Sequence, residues 1–197
     1  MYAAPVLPAA PSITPRHTAR LTLRPYQPTD EAAFFAVLDE NRSRLQSAFP
    51  ARVAAVQALP DAGRVLRQFR QDWQQGRLYV FGIWHTTSGT YLGDISLRPS
   101  WSAPVSAEIG YYLAAAAEGH GYAREALAEA VQFGFGAPVQ AQSLTLRCRP
   151  TNPRSMAVAE HVGFRAVVAR RRLWSLRGAS DIVHFRLERP GAIPREA

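Results

Sequence analysis

Lysine is missing from this chain altogether; all 23 basic residues are arginine. Two mechanisms fall with it, because a P-loop needs its Lys to reach phosphates and a pyridoxal enzyme needs one for its Schiff base. Cysteine occurs once, as Cys148. One thiol excludes an internal disulfide and a multi-cysteine metal cluster within one chain, and it fits a cytoplasmic setting. No apolar run approaches the ~18 residues of a membrane span. The first sixteen residues hold Pro5, Pro8, Pro11 and Pro15 but lack a basic segment followed by an apolar one. They read as a flexible Pro/Ala-rich arm, residues 1–16, and not as a signal peptide.

Hydrophobic residues make up 47% of the chain, a globular composition, and 197 residues suffice for one domain with a full core. The net charge of +8 is spread from Arg16 to Arg195, with a cluster at Arg170, Arg171 and Arg172. Charge alone does not separate nucleic acid, an acidic protein and a polyanionic cofactor as partners. No basic strand interleaved with aromatics and no zinc-finger spacing supports a nucleic-acid module.

Residues 20–25 alternate as a first strand ending at Pro25. A helix follows, with Thr29 or Asp30 as its cap and Phe34, Phe35, Val37, Leu38 and Leu45 as its apolar positions. A second helix runs from Asp61 to about Gln75, with Val65, Leu66, Phe69 and Trp73 at three- and four-residue spacing, and Gly76 ends it. Residues 78–85 and 91–97 form a hairpin through Thr86-Thr-Ser-Gly-Thr90. Residues 105–113 form a further strand with Glu108, Gly110 and Tyr112 on one face and Ala107, Ile109, Tyr111 and Leu113 on the other. Residues 143–149 alternate again. Thr151 or Asn152 caps a helix ending near Gly163, and a closing hairpin turns around Arg177-Gly178.

Between residue 113 and the next helix lies Glu118-Gly-His-Gly-Tyr-Ala-Arg124. Glycines let backbone approach an anion closely, and the helix start offers unpaired amides at a positive dipole end. Phosphate oxygens suit that turn, although two glycines before a helix also make a plain tight turn. A dinucleotide fold wants a third glycine where Arg124 stands, which argues against it.

Three segments in this order and spacing, AEIGYYL at 107–113, GHGYAREAL at 119–127 and Asn152-Pro-Arg-Ser155 with Gly163-Phe164, resemble the GCN5-related N-acetyltransferases (GNAT), within them the RimJ/RimL-like ribosomal-protein alanine acetyltransferases. The resemblance covers roughly residues 17–188. It implies an α/β fold of α+β type, with a mixed, mostly antiparallel sheet of about seven strands splayed between strands 4 and 5 and helices on both faces. A single domain at 17–189 follows, with 190–197 as a tail.

The resemblance further implies an acetyl-CoA cosubstrate, no metal, and transfer of acetyl to a primary amine on a protein N-terminus or a small molecule. Tyr112 and Leu113 would pair by backbone with pantetheine, and a strand amide would polarise the thioester. The phosphate turn would be Glu118, Gly119, His120, Gly121, Tyr122, Ala123 and Arg124. Glu118 departs from the Gln or Arg of the family, a modest affinity penalty that Arg124 offsets. The family's Tyr donor falls on Ala159, so Ser155 becomes the donor to the leaving thiolate, with Asn152 orienting cofactor or water. Without the other motifs, Asn152 is a helix cap and Ser155 a surface hydroxyl. The RimL-like base position falls on Trp174, which instead gives an aromatic wall to the acceptor pocket, while Arg170 to Arg172 suit an acidic acceptor. Glu108 is the remaining candidate base, made competent by burial beside Tyr112, or else it forms a salt bridge to a neighbouring-strand Arg. His120, inside the turn, is expected to face solvent. A non-catalytic acyl-CoA sensor is the alternative reading, and the assembly is a monomer or a homodimer.

Overall fold

In a computed structural model of the chain, residues 14–167 and 182–191 are described. Their eight strands are β1 (Arg16–His17), β2 (Leu21–Arg24), β3 (Tyr79–His85), β4 (Tyr91–Ser100), β5 (Ser106–Leu113), β6 (Ser143–Cys148), β7 (Arg165–Val167) and β8 (Val183–Glu188). They form one sheet in the order β1-β2-β3-β4-β5-β6-β8-β7. All neighbours run antiparallel except β5 and β6, which are parallel. The expected mixed sheet is present. It gains an eighth strand because Arg16, assigned by sequence to the arm, sits opposite Leu23 and ion-pairs with Glu129.

The helices are α1 (Glu31–Glu40), α2 (Arg42–Leu45), α3 (Pro50–Ala55), α4 (Leu59–Gln74), α5 (Tyr122–Phe135) and α6 (Pro153–His161). Phe34 and Leu38, one turn apart, bury the inner stripe of α1. Asp30 does not cap α1 with its side chain; its carboxylate accepts the Gln27 N–H at 2.7 Å and pairs with Arg24. In α4, Ala62, Leu66 and Trp73 face inward. The Asp61 carboxylate accepts the Gln57 and Ala58 N–H groups at 2.9 Å each, and Gly76 at φ +65° stops the helix.

Side-chain alternation divides the core between the two faces of the sheet. Leu97, Ile109, Leu113, Leu144 and Leu146 pack with Leu127 and Phe133 of α5 and Ala159 of α6. On the opposite face Val80, Tyr91 and Tyr112 pack with Phe34, Leu38, Val53 and Leu66 of α1, α3 and α4.

That second face contains a buried polar network. Asp94 of β4 is fully buried and ion-pairs with Arg52 of α3. The Tyr26 hydroxyl donates to Asp94 at 3.1 Å and lies 2.6 Å from that of Tyr91, which is 3.2 Å from that of Tyr112. Burial pushes all three phenols up, with the Asp94 charge adding to the shift. Burial alone would lower the Arg52 guanidinium, but the charge of Asp94 outweighs it and the net direction is up. Arg52 also lies over the rings of Phe49 and Phe69. The network thus ties α3, and Phe49 before it, to the sheet.

Candidate active site

Strands β5 and β6 are in register from Ser106 opposite Ser143 to Ile109 opposite Leu146 and no further. Beyond Ile109, β5 continues to Leu113 against β4 alone, so a cleft opens at Gly110. The Ala114 N–H donates to Leu92 O at 2.8 Å. Antiparallel alternation then directs the backbone groups of Tyr112 to Asp94 on β4 and turns those of Tyr111 and Leu113 toward the cleft. Of the two residues expected to pair with pantetheine, Leu113 thus turns its backbone groups toward the cleft and Tyr112 turns its own to β4. Close approach fixes this geometry, because a Cβ on Gly93 (φ +145°) would lie 2.2 Å from Tyr112 O.

After β5 the chain reaches the glycine turn through a short 3-10 turn, Ala115–Ala117. Gly119 and Gly121 both stand at φ +81°, and α5 starts immediately after Gly121. Left-handed backbone at both positions favours residues without a Cβ. Arg20 braces the turn from outside: its Nη1 donates to His120 O at 2.9 Å and its Nε to Glu125 at 2.8 Å. Burial pushes the Glu125 carboxyl up, but hydrogen bonds from Thr18 and Arg20 outweigh it and hold it below its usual range. The His120 ring is exposed and stacks on Tyr122 with centroids 5.5 Å apart. A hollow of about 440 Å³ lies on the α1 side of this turn, lined in part by Val37, His85, Tyr91 and Tyr122. It is separate from the β5–β6 cleft.

Glu118 does not face the turn as a bare carboxylate. It pairs with Arg44 of α2 and, at 2.8 Å, with Arg154 of α6. Two half-exposed to exposed guanidiniums therefore converge on one carboxylate, which is 31% exposed. Arg124 takes another direction; its Nη1 lies 3.2 Å from His161 Nε2. The positive charge held at Glu118 thus comes from Arg44 and Arg154, distant in sequence, and not from Arg124.

Asn152 is the cap of α6, accepting the Ser155 N–H at 3.1 Å with Pro153 in the first turn. The Ser155 hydroxyl lies 3.0 Å from that of Tyr111, whose ring comes from the cleft edge of β5. Burial pushes the Tyr111 phenol up to about 12 from 10.0, against the lowering effect of Ser155. At neutral pH this hydroxyl keeps its proton. Burial, with the nearby Glu160 charge, also pushes up the Cys148 thiol.

Glu108 points to the opposite face of the sheet. The expected burial beside Tyr112 is not found: the side chain is 41% exposed, and Oε1 accepts both Nε and Nη2 of Arg147 at 2.9 and 2.6 Å. The cause is Phe49, whose ring lies 5.5 Å from that of Tyr112 and covers Gly110, leaving Glu108 beyond it on the open part of the sheet. The salt bridge to a neighbouring-strand Arg is therefore formed.

The Acetyltransferase (GNAT) domain family matches residues 20–165. The chain belongs to the GNAT acetyltransferase family. Among solved structures, GNAT neighbours include RimJ of Mycobacterium smegmatis in complex with CoA-disulfide, at 26% identity and TM-score 0.70, covering 85% of this chain and 81% of that one. RimL, the ribosomal L7/L12 alpha-N-protein acetyltransferase in complex with coenzyme A, matches at 19% identity and TM-score 0.73, covering 87% and 95%. The ribosomal-protein-S5-alanine acetyltransferase of Vibrio fischeri matches at 18% and 0.77, covering 92% and 100%. RimL and the Vibrio fischeri enzyme share the fold, and RimJ, at 26% identity, supports the RimJ/RimL-like grouping; the chain is an N-acetyltransferase with acetyl-CoA as cosubstrate. No curated protein sequence matches. Among the described residues no group of three or more His, Cys, Asp or Glu is placed to hold a metal, and no helix is long and apolar enough to cross a membrane.

In this GNAT chain α6 brings Ser155 to Tyr111 at the cleft edge and Arg154 to Glu118 beside the glycine turn, while Asn152 caps the helix and Glu108 lies on the other face of the sheet. Trp174 and Arg170 to Arg172 lie outside the described residues. Sequence reading missed Tyr111, Arg44, Arg154 and the Arg52–Asp94 pair. Tyr111 was readable only as an inward residue of its strand, and the arginines carried no local signal.

Proposed function

We propose that this GNAT enzyme moves acetyl from acetyl-CoA to a primary amine by direct attack on the thioester, within a cleft whose two walls divide the work. The parting of β5 from β6 at Gly110, directly before the paired-glycine turn, carries this reading. The turn's amides and the start of α5 suit a pyrophosphate. Arg44 and Arg154, held by Glu118, supply the cationic side chains that the family places at that position itself. The backbone edge at Tyr111 and Leu113 suits the pantetheine arm. Acetyl-CoA supplies the activated acyl group and a thiolate that needs a proton as it leaves.

On the α5/α6 side, the hydroxyls of Ser155 and Tyr111 form one donor unit. Tyr111 keeps its proton at neutral pH and passes hydrogen bonding through Ser155 to the departing sulfur. A backbone N–H at the cleft edge stabilises negative charge developing on the thioester oxygen. On the other side of the sheet, Glu108 Oε2, the oxygen not bonded to Arg147, is the proposed acceptor of the amine proton through water, and Trp174 the proposed wall of the acceptor pocket. The acceptor is a protein N-terminus or a small amine, and a cytoplasmic setting goes with the lone thiol.

The test is CoA release with a panel of amines, on the full chain and on Ser155→Ala and Glu108→Gln. Turnover that falls in both variants supports the division. Tight acetyl-CoA binding without turnover across the panel would make the protein an acyl-CoA sensor, and full activity of Glu108→Gln near neutral pH would remove the base assignment.

A further inference from the structure

The register of the sheet places one row of side chains on its open face. Arg98, Glu108, Thr145, Arg186 and Arg165 are successive cross-strand partners from β4 to β7. The row covers four strand spacings, about 19 Å. Arg147 and Arg149 of the β6 segment share this side; Arg149 donates to Ser47 O in the loop before α3. Arg98, Arg147, Arg149, Arg165 and Arg186 are all exposed. Among the described residues, the carboxylates paired with these arginines are Glu108, with Arg147, and Glu188, with Arg186. No described carboxylate pairs with Arg98 or Arg165.

This face starts where the cleft starts. Glu108 lies two residues before Gly110, and α1 to α4 pack over the β2–β5 side of the sheet. Because the glycine turn, Ser155 and Tyr111 occupy the α5/α6 side, an amine reaches the thioester from the arginine side. A small amine needs only the cleft mouth. About six residues of extended polypeptide cover the row beyond it.

We propose that this face receives an acidic polypeptide acceptor, its N-terminal amine at Gly110 and its following Asp and Glu residues on Arg98, Arg165 and Arg186. This deepens, and rests on, the acetyl-transfer reading above. Nucleic acid fits less well, since Glu108 and Glu188, each paired with an arginine of this face, interrupt any phosphate track.

The experiment uses the full chain, acetyl-CoA and two hexapeptides with the same two N-terminal residues. One carries Asp and Glu at its last four positions; the other carries Asn and Gln there. The acidic peptide is expected to have a kcat/KM roughly tenfold higher at low salt, an advantage that shrinks as salt screens exposed charges. The double variant Arg98→Gln/Arg165→Gln should cut the acidic peptide by about three- to tenfold and leave the neutral one unchanged. Equal rates for the two peptides, or an unchanged preference in the double variant, overturn the proposal. If neither peptide is acetylated, fluorescence anisotropy of both on the CoA-saturated protein decides it, and equal affinities overturn it. A duplex RNA that binds through these arginines while the peptides do not discriminate reassigns the face to nucleic acid. Failure to bind acetyl-CoA, or to release CoA with any amine, instead strikes the acetyl-transfer reading, so the two failures are separable.

Discussion

On the α5/α6 side of the cleft, polar groups end at the opening: the glycine turn, the paired arginines at Glu118, and the Ser155 and Tyr111 hydroxyls. On the other side, beside Tyr112, the polar groups turn inward. Asp94, Arg52 and three tyrosines satisfy one another under Phe49, and the exposed charges lie farther out, from Arg98 of β4 across the sheet to Arg165 of β7. The difference separates binding of an invariant ligand from binding of a variable one. A cofactor that never changes suits fixed backbone and bonded pairs, whereas the acceptor side combines a rigid buried brace with a solvated charged surface.

The largest effect should come from breaking the brace. Arg52→Ala leaves Asp94 buried without its counter-ion and should cost about 3–5 kcal/mol of stability in denaturant unfolding. A double Arg52→Met/Asp94→Leu variant should recover much of that loss; if it does not, the pair holds more than charge balance. Next in size is the cofactor-side donor unit. Tyr111→Phe should lower kcat by about a hundredfold with little change in the KM for acetyl-CoA, measured by thiol release. A variant that loses stability but keeps its rate per folded molecule would reduce Tyr111 to packing.

Smaller still is the contribution of the arginines at Glu118. Arg44→Ala and Arg154→Ala should each raise the KM for acetyl-CoA by about three- to tenfold with kcat unchanged. A fall in kcat alone would place them away from the phosphates. The last effect appears only at alkaline pH. Tyr111 has a folded pKa raised from 10.0 to about 12, so its contribution to stability is complete below about pH 10 and is lost as pH rises to about 12. Tyr111→Phe should flatten that part of the stability profile.

What the sequence disclosed follows the same division. The glycine turn, the Asn152 cap and the amphipathic α4 and α5 depend on residues a few positions apart, and each was legible. Arg44 and Arg154 reach Glu118 from 74 and 36 positions away, and Tyr111 meets Ser155 across 44. No local pattern encodes such pairs. The short α2 and α3 escaped because four and six residues carry too little periodicity. Glu108 was assigned the correct strand face, but its burial was misjudged because it depended on where Phe49, from a distant loop, comes to rest.

Amide hydrogen exchange with and without acetyl-CoA tests the central claim most directly. Cofactor binding in the β5–β6 cleft predicts new protection in segments covering residues 111–113 and 119–124, with Arg98 and its neighbours on β4 unchanged. Protection that leaves both of those segments untouched would contradict it.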